Sequence, residues 1–170
     1  MMRRLLYILL SLATWGLFVV MALWSLPEIK TEADGKIPFD LRPFGYSAAE
    51  AEAFLNALSD EGRVFYAEIQ HGFDALFPAL LLVWAAWTVW ALFRGPARWG
   101  VMALAVLGCV ADYAENATVA QLLDGFQAQL AATASRWTML KSATWTVVYL
   151  AILWGVFGLI RRRVFNRGAG

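Results

Sequence analysis

WGVMALAVLGCVADYAENATVA, residues 99–120, decides the fold. Its first 13 residues, 99–111, carry no charge, and then Asp112 and Glu115 interrupt the run. Crossing a hydrocarbon core of roughly 30 Å takes about 20 helical residues, so this segment spans a membrane only if it carries both acids in with it. Three other runs need no such concession: residues 5–26 are uncharged over 22 positions, 75–93 over 19 and 142–160 over 19. Including 99–120 gives an even number of crossings. The reading that follows is an all-α integral membrane four-helix bundle, one membrane domain over residues 1–170, with spans at about 5–26, 72–93, 99–120 and 138–160. A partly helical outer loop occupies residues 27–71.

Charge distribution supports the even count. Arg3, Arg4, Arg94, Arg98, Arg161, Arg162, Arg163 and Arg167 fall together at one end of such a bundle, with all 13 acids at or toward the other. Basic residues collect on the cytoplasmic side. Both termini and the turn at 94–98 are therefore expected in the cytoplasm of a bacterium, with the chain in the inner membrane and residues 27–71 and 124–136 facing out. The first run exceeds the apolar core of a signal peptide and places Trp15 and Trp24 where small residues mark cleavage, so it is expected to stay as a span.

The composition agrees: 61% of residues are hydrophobic and 16% charged, far from soluble averages. A net charge of +1, with the basic residues explained by topology, gives no ground for a nucleic-acid partner. Cys109 stands alone, so neither a disulfide framework nor a paired-thiol site is implied. A single His, His71, supplies neither two axial haem ligands nor a His-rich zinc site. No cofactor is implied, and a carboxylate metal site from Asp74, Asp112 and Glu115 stays open as an alternative.

In the outer loop, Pro27, Gly35, Pro38, Pro43 and Gly45 deny long regular structure, while Phe39, Leu41, Phe44 and Tyr46 offer apolar anchors. Ser47 with Glu50 reads as a capping box opening a short helix to about Leu58. Ser59, with Asp60 and Glu61, caps a second helix that continues through Phe65, Ile69 and Phe73 into the second span, with Pro78 expected to kink it. The loop is thus expected to be a helical lid on the bundle, a solvated connector being the alternative.

At about 100° per residue, Ala105, Gly108, Asp112 and Glu115 share one helical face and Asn116 borders it. Small residues on that face let a neighbouring helix approach, so the acids are expected to point into the bundle. Lys141 and Asp74, with His71 one turn before the latter, enter their own spans at similar depth. Asp112, Glu115, Asn116, Asp74, Lys141 and His71 therefore form the candidate pocket. Charges in a membrane pair or line water. Either Lys141 closes the set into a fastening between helices, or three acids against one Lys leave a site for a cation, a proton or a positively charged head group.

The strings FDLRPFGYS (39–47), FLNAL, EGRVFY, DALFP (74–78), DYAEN (112–116) and LKSATW (140–145) together resemble a family of bacterial four-span membrane proteins. That likeness implies the four-span topology and carries no activity with it. Three functions remain in view: a non-enzymatic module whose outward acidic pocket binds or passes a cation or amphiphile, an accessory or scaffold subunit of a membrane complex, and an intramembrane lipid-modifying enzyme. The last would use His71 or Glu115 as base, with Asp74 or Asp112 holding a metal or orienting the base; no Ser or Cys nucleophile signature or phosphate-binding motif supports it. Membrane lipids are the expected neighbours. Four helices are few for transport alone, which points to a homodimer or a larger complex.

Overall fold

The computed structural model describes residues 1–167; residues 168–170 and the side chains of residues 163 and 165–167 lie outside the described residues, and the placement of Arg163 and Arg167 falls there with them. Among the described residues there are five helices and no strand: α1 (Met2–Glu32), α2 (Ala48–Ala57), α3 (Asp60–Leu92), α4 (Gly95–Asp124) and α5 (Ala128–Arg167). All but α2 are long and apolar enough to cross a membrane, so the chain is a multi-pass membrane protein built as a four-helix bundle.

The helices outrun the apolar runs that predicted them. α1 continues past Pro27 to Glu32, where the sequence suggests irregular chain. A widened π turn at Met21–Ser25, closed by the Leu26 N–H on the Met21 carbonyl, comes directly before the proline that has no N–H to give. The expected outer segment at 124–136 shrinks to residues 125–127, because the last turns of α4 and the first turns of α5 pack on the loop. Likewise the turn expected at 94–98 is short, as α4 starts at Gly95. Arg98 turns back to donate to the Phe93 carbonyl (2.8 Å) and the Trp90 carbonyl (3.2 Å), serving the orphaned end of α3.

Two apolar cores stack along the bundle. In the membrane half, Leu81, Ala85 and Val89 of α3 meet Ala105 and Cys109 of α4 and Trp145, Val148 and Ile152 of α5. Lipid gives no hydrophobic drive for that contact, so close approach must supply it. A Cβ built on Gly108 would stand 2.9 Å from Thr144 Oγ1 and 3.0 Å from Trp145 Nε1, which shows how tightly α4 and α5 are seated. Gly155 is equally filled, 3.1 Å from the Phe93 ring, whereas a Cβ on Gly158 meets nothing within 4 Å. Gly108→Val is expected to cost about 1–3 kcal/mol by overpacking, read as a lower melting temperature in detergent, with Gly158→Ala unchanged. α1 packs chiefly on α3, through the Trp15–Trp84 edge contact (5.1 Å) and the buried Thr14, and turns Leu5, Leu9 and Leu12 outward.

The second core lies under the loop. Phe39 and Phe54 are fully buried, their rings 4.8 Å apart, against Ile29 of α1, Tyr66 of α3, Val119 and Leu122 of α4, and Ala131 and Ala134 of α5. The loop is therefore a lid and not a solvated connector. Its local start signals hold: the Ser47–Glu50 capping box is complete in both directions, and Ser59 Oγ accepts from the Gly62 N–H at 2.9 Å. The Ser47 N–H and hydroxyl hold the Glu50 carboxyl below its usual range. Two of the four expected anchors fail, since Leu41 is 48% and Phe44 92% exposed. A 3-10 turn at Phe39–Leu41 points its three side chains about 120° apart, so Phe39 and Asp40 face the bundle and Leu41 faces out. Gly45 closes the turn at φ +81°, with a Cβ position only 2.7 Å from Ser135 Oγ, so the lid backbone lies directly on α5.

Candidate functional site

Between the two cores, where apolar packing passes from α3, α4 and α5 to the lid, the chain gathers its buried charges. The expected inward turn of α4 is present: Ala105, Gly108, Asp112, Glu115 and Asn116 are all buried. Lys141 of α5 reaches across to that face. Its ammonium lies 3.2 Å from Asp40 Oδ1 and 3.5 Å from Asp112 Oδ1, and touches Glu115 Oε2. The ammonium donates to Asp40 and Asp112 and makes its third contact, an ion pair, with Glu115, so three carboxylates from two different segments share one positive charge.

Each acid has a second support. Glu115, with no exposed surface, accepts from Thr138 Oγ1 at 2.6 Å, and that hydroxyl also lies 3.0 Å from the Ala134 carbonyl. Asp40 accepts from the Tyr66 hydroxyl at 3.1 Å. Asn116 Nδ2 donates to Asp112 Oδ1 at 3.5 Å and to the Asp74 main-chain carbonyl at 3.2 Å, tying α4 to α3. Asp74 itself is 6% exposed and accepts from Gln70 Nε2 at 2.9 Å; Gln70 Oε1 accepts in turn from Ser25 Oγ at 2.6 Å. One connected network thus joins α1, the lid, α3, α4 and α5.

Of the six residues expected from the sequence, Asp112, Glu115, Asn116 and Lys141 meet directly, and Asp74 joins through Asn116. His71 sits at the margin. Its Nε2 lies 3.1 Å from the Asn116 carbonyl, an acceptor, which makes Nε2 the donor and leaves a neutral ring's buried Nδ1 without a partner. The pairing of His71 with Asp74 does not form: His71 Nε2 is directed to the Asn116 carbonyl, and Asp74 Oδ1 accepts from Gln70. Of the three acids the sequence put within reach of Lys141, Asp112 and Glu115 are met and Asp74 is not, its place being taken by Asp40. Glu115 is a poor base in this arrangement, since it is enclosed and both its oxygens are engaged. Nor do Asp74, Asp112 and Glu115 make a metal centre: among the described residues no three His, Cys, Asp or Glu side chains are placed to hold a metal ion.

The sequence reading missed Asp40, Tyr66, Gln70 and Tyr46. Asp40 had one signal, an acid next to the loop's best apolar anchor, Phe39. Gln70 and Tyr66 had none, because a π turn at Tyr66–Gln70 shifts the phase of α3 just before Asp74. Tyr46 enters from the lid, its N–H on Ser135 Oγ at 2.8 Å. Its hydroxyl is buried without a hydrogen-bond partner beside Thr138 and Glu115. Burial first, then the Glu115 carboxylate, push this phenol far above its ordinary range, so it remains a proton donor.

Lys141 thus answers for one charge while four carboxylates surround it or border it. Among the described residues, no side chain donates to the second oxygens of Asp74 and Asp112, and neither oxygen is sealed inside the protein. Together with the unpaired Tyr46 hydroxyl, they give the site unused acceptor and donor capacity.

Comparison with known proteins returns no matching family model, no matching curated protein and no matching solved structure. What the fold defines is a class, the multi-pass helical membrane bundle, and the functional reading rests on the geometry of the site.

Proposed function

We propose that the protein is a non-enzymatic membrane module that takes up a small cation at the lid end of its bundle, the proton being the one its present geometry accepts unaltered. The observation that carries this reading is the surplus of acid: Asp40, Asp74, Asp112 and Glu115 against Lys141 alone, with acceptor oxygens on Asp74 and Asp112 left open. Charge buried in a membrane is costly unless balanced, so the surplus favours retaining a proton or drawing in a cation. A larger ion would need Lys141 to swing aside. Asp40 makes uptake sensitive to the lid, because the same carboxylate that touches Lys141 rides on the turn anchored by Phe39. The arginine-rich end marks the cytoplasmic side, which puts both termini inside, the lid outside, and the chain in a bacterial inner membrane. The outward apolar face of α1 suits a second copy or a larger membrane complex.

The test is ligand-linked stability. Purified protein is melted in detergent from acid to mildly alkaline pH in a bulky organic-cation buffer, then at fixed pH with sodium, potassium or calcium added. Uptake predicts a melting temperature that rises on acidification or on adding one of the metal ions. Asp74→Asn with Asp112→Asn cuts the surplus from three carboxylates to one and removes the open oxygens, so the response shrinks. A wild-type melting temperature indifferent to both would leave the cluster as a fastening between helices, and the cation reading would be abandoned.

A further inference from the structure

The arginine end holds a second feature, independent of the lid. A groove of about 500 Å³ opens between the first turns of α1 and the last turns of α3, reaching Val156 of α5. Its walls are Tyr7 and Ile8 on one side and Trp87, Ala91 and Leu92 on the other, with Arg3 and Arg4 at its mouth. That volume lies within the range of pockets that hold small molecules.

The walls say what the occupant must be. Thr88 gives its one proton to the Trp84 carbonyl (2.8 Å), so the Tyr7 hydroxyl donates to Thr88 Oγ1 (2.8 Å), and both polar groups in the wall are spent on each other. No hydroxyl proton is left there for a polar ligand, and in a membrane such a slot fills with hydrocarbon. The mouth is different. Arg98 is committed to main-chain carbonyls and to the Trp90 ring, 4.1 Å below its guanidinium. Arg3 and Arg4 are exposed, and among the described residues neither has a carboxylate within salt-bridge distance. Among the described residues no Asp or Glu side chain lies in this half of the bundle to serve them. Two free guanidiniums over an apolar slot match an anionic head group above an acyl chain, the arrangement by which basic pockets between membrane helices hold acidic lipids.

We infer that the α1–α3 groove binds one anionic phospholipid, its phosphate on Arg3 and Arg4 and one acyl chain against Trp87, Ala91 and Leu92. The site fastens the first turns of α1, in a stretch (Met2–Val20) whose one buried residue is Thr14, to the rest of the bundle.

The probe is phosphatidylglycerol. The full chain, purified in detergent with equal phosphatidylglycerol and phosphatidylcholine, is examined by native mass spectrometry for retained lipid. The wild type is expected to keep phosphatidylglycerol preferentially. Arg3→Gln with Arg4→Gln lowers the phosphatidylglycerol-to-phosphatidylcholine ratio by about thirtyfold, taking each surface arginine at about 1 kcal/mol. Both positions are exposed, so the fold is not at stake. Ala91→Trp, which fills the slot without touching charge, also lowers retention. Arg161→Gln with Arg162→Gln, at the same end but off the groove, leaves it unchanged. Retention that survives the Arg3 and Arg4 changes, survives Ala91→Trp, or falls equally with Arg161 and Arg162 would overturn the assignment, the last by showing a diffuse basic surface.

Discussion

Replacing Lys141 by Met lowers stability in detergent by about 3–5 kcal/mol, the usual cost of leaving one side of a buried ion pair without the other. The expectation is near the top of that range because the loss is threefold. Asp40, Asp112 and Glu115 all surrender their ammonium contact, and Glu115 has no exposed surface through which water could replace it. Met preserves the length of the side chain, so the loss is one of charge and not of packing. The measurement is equilibrium unfolding or thermal melting in a mild detergent, with helicity followed by circular dichroism. A shift below about 1 kcal/mol would place Lys141 with exposed pairs, which contribute little.

Phe39→Ala is expected to have an effect of similar size for a different reason. Phe39 is fully buried, packs against the rings of Tyr46 (4.9 Å, tilted) and Phe54 (4.8 Å, edge-on), and is the apolar pin of the turn that carries Asp40. The lid core lies at the end of the bundle that faces water, so ordinary burial energetics apply, and a Phe-to-Ala truncation there costs about 3–5 kcal/mol. Its consequence is local first. Residues 33–47 should become open to limited proteolysis while α3, α4 and α5 keep their helicity. Phe44→Ala, five residues on and 92% exposed, should change neither. If Phe39→Ala left the lid as resistant to protease as the wild type, the lid would be held by something other than this core.

Much of this was legible in the chain because it is local. Uncharged runs give spans, Ser47 with Glu50 gives a helix start, and the spacing of Ala105, Gly108, Asp112 and Glu115 gives an inward face. What was not legible is what distance and phase decide. Asp40 meets Lys141 across 101 positions of sequence, and nothing within FDLRPFG says which of its apolar residues turns inward. The π turns at Met21–Ser25 and Tyr66–Gln70 add a residue to a turn without any sequence mark. The second of them aligns Gln70 with Asp74 and leaves His71 to Asn116. The sequence gathered the charged cluster and named most of its members; the partners of Lys141 depended on the lid, which pattern reading laid over the bundle without telling which of its side chains turn inward.

The double-mutant cycle between Lys141 and Glu115 tests the centre of this description most directly. Lys141→Met, Glu115→Gln and the pair are unfolded under one condition. Gln keeps the shape of Glu and an oxygen for Thr138 while removing the charge. Contacting residues in one network couple by about 0.5–3 kcal/mol, and here the upper half of that range is expected, with the double variant more stable than Lys141→Met alone. Additive losses, within about 0.5 kcal/mol, would mean that the buried ammonium and the buried carboxylate are not partners.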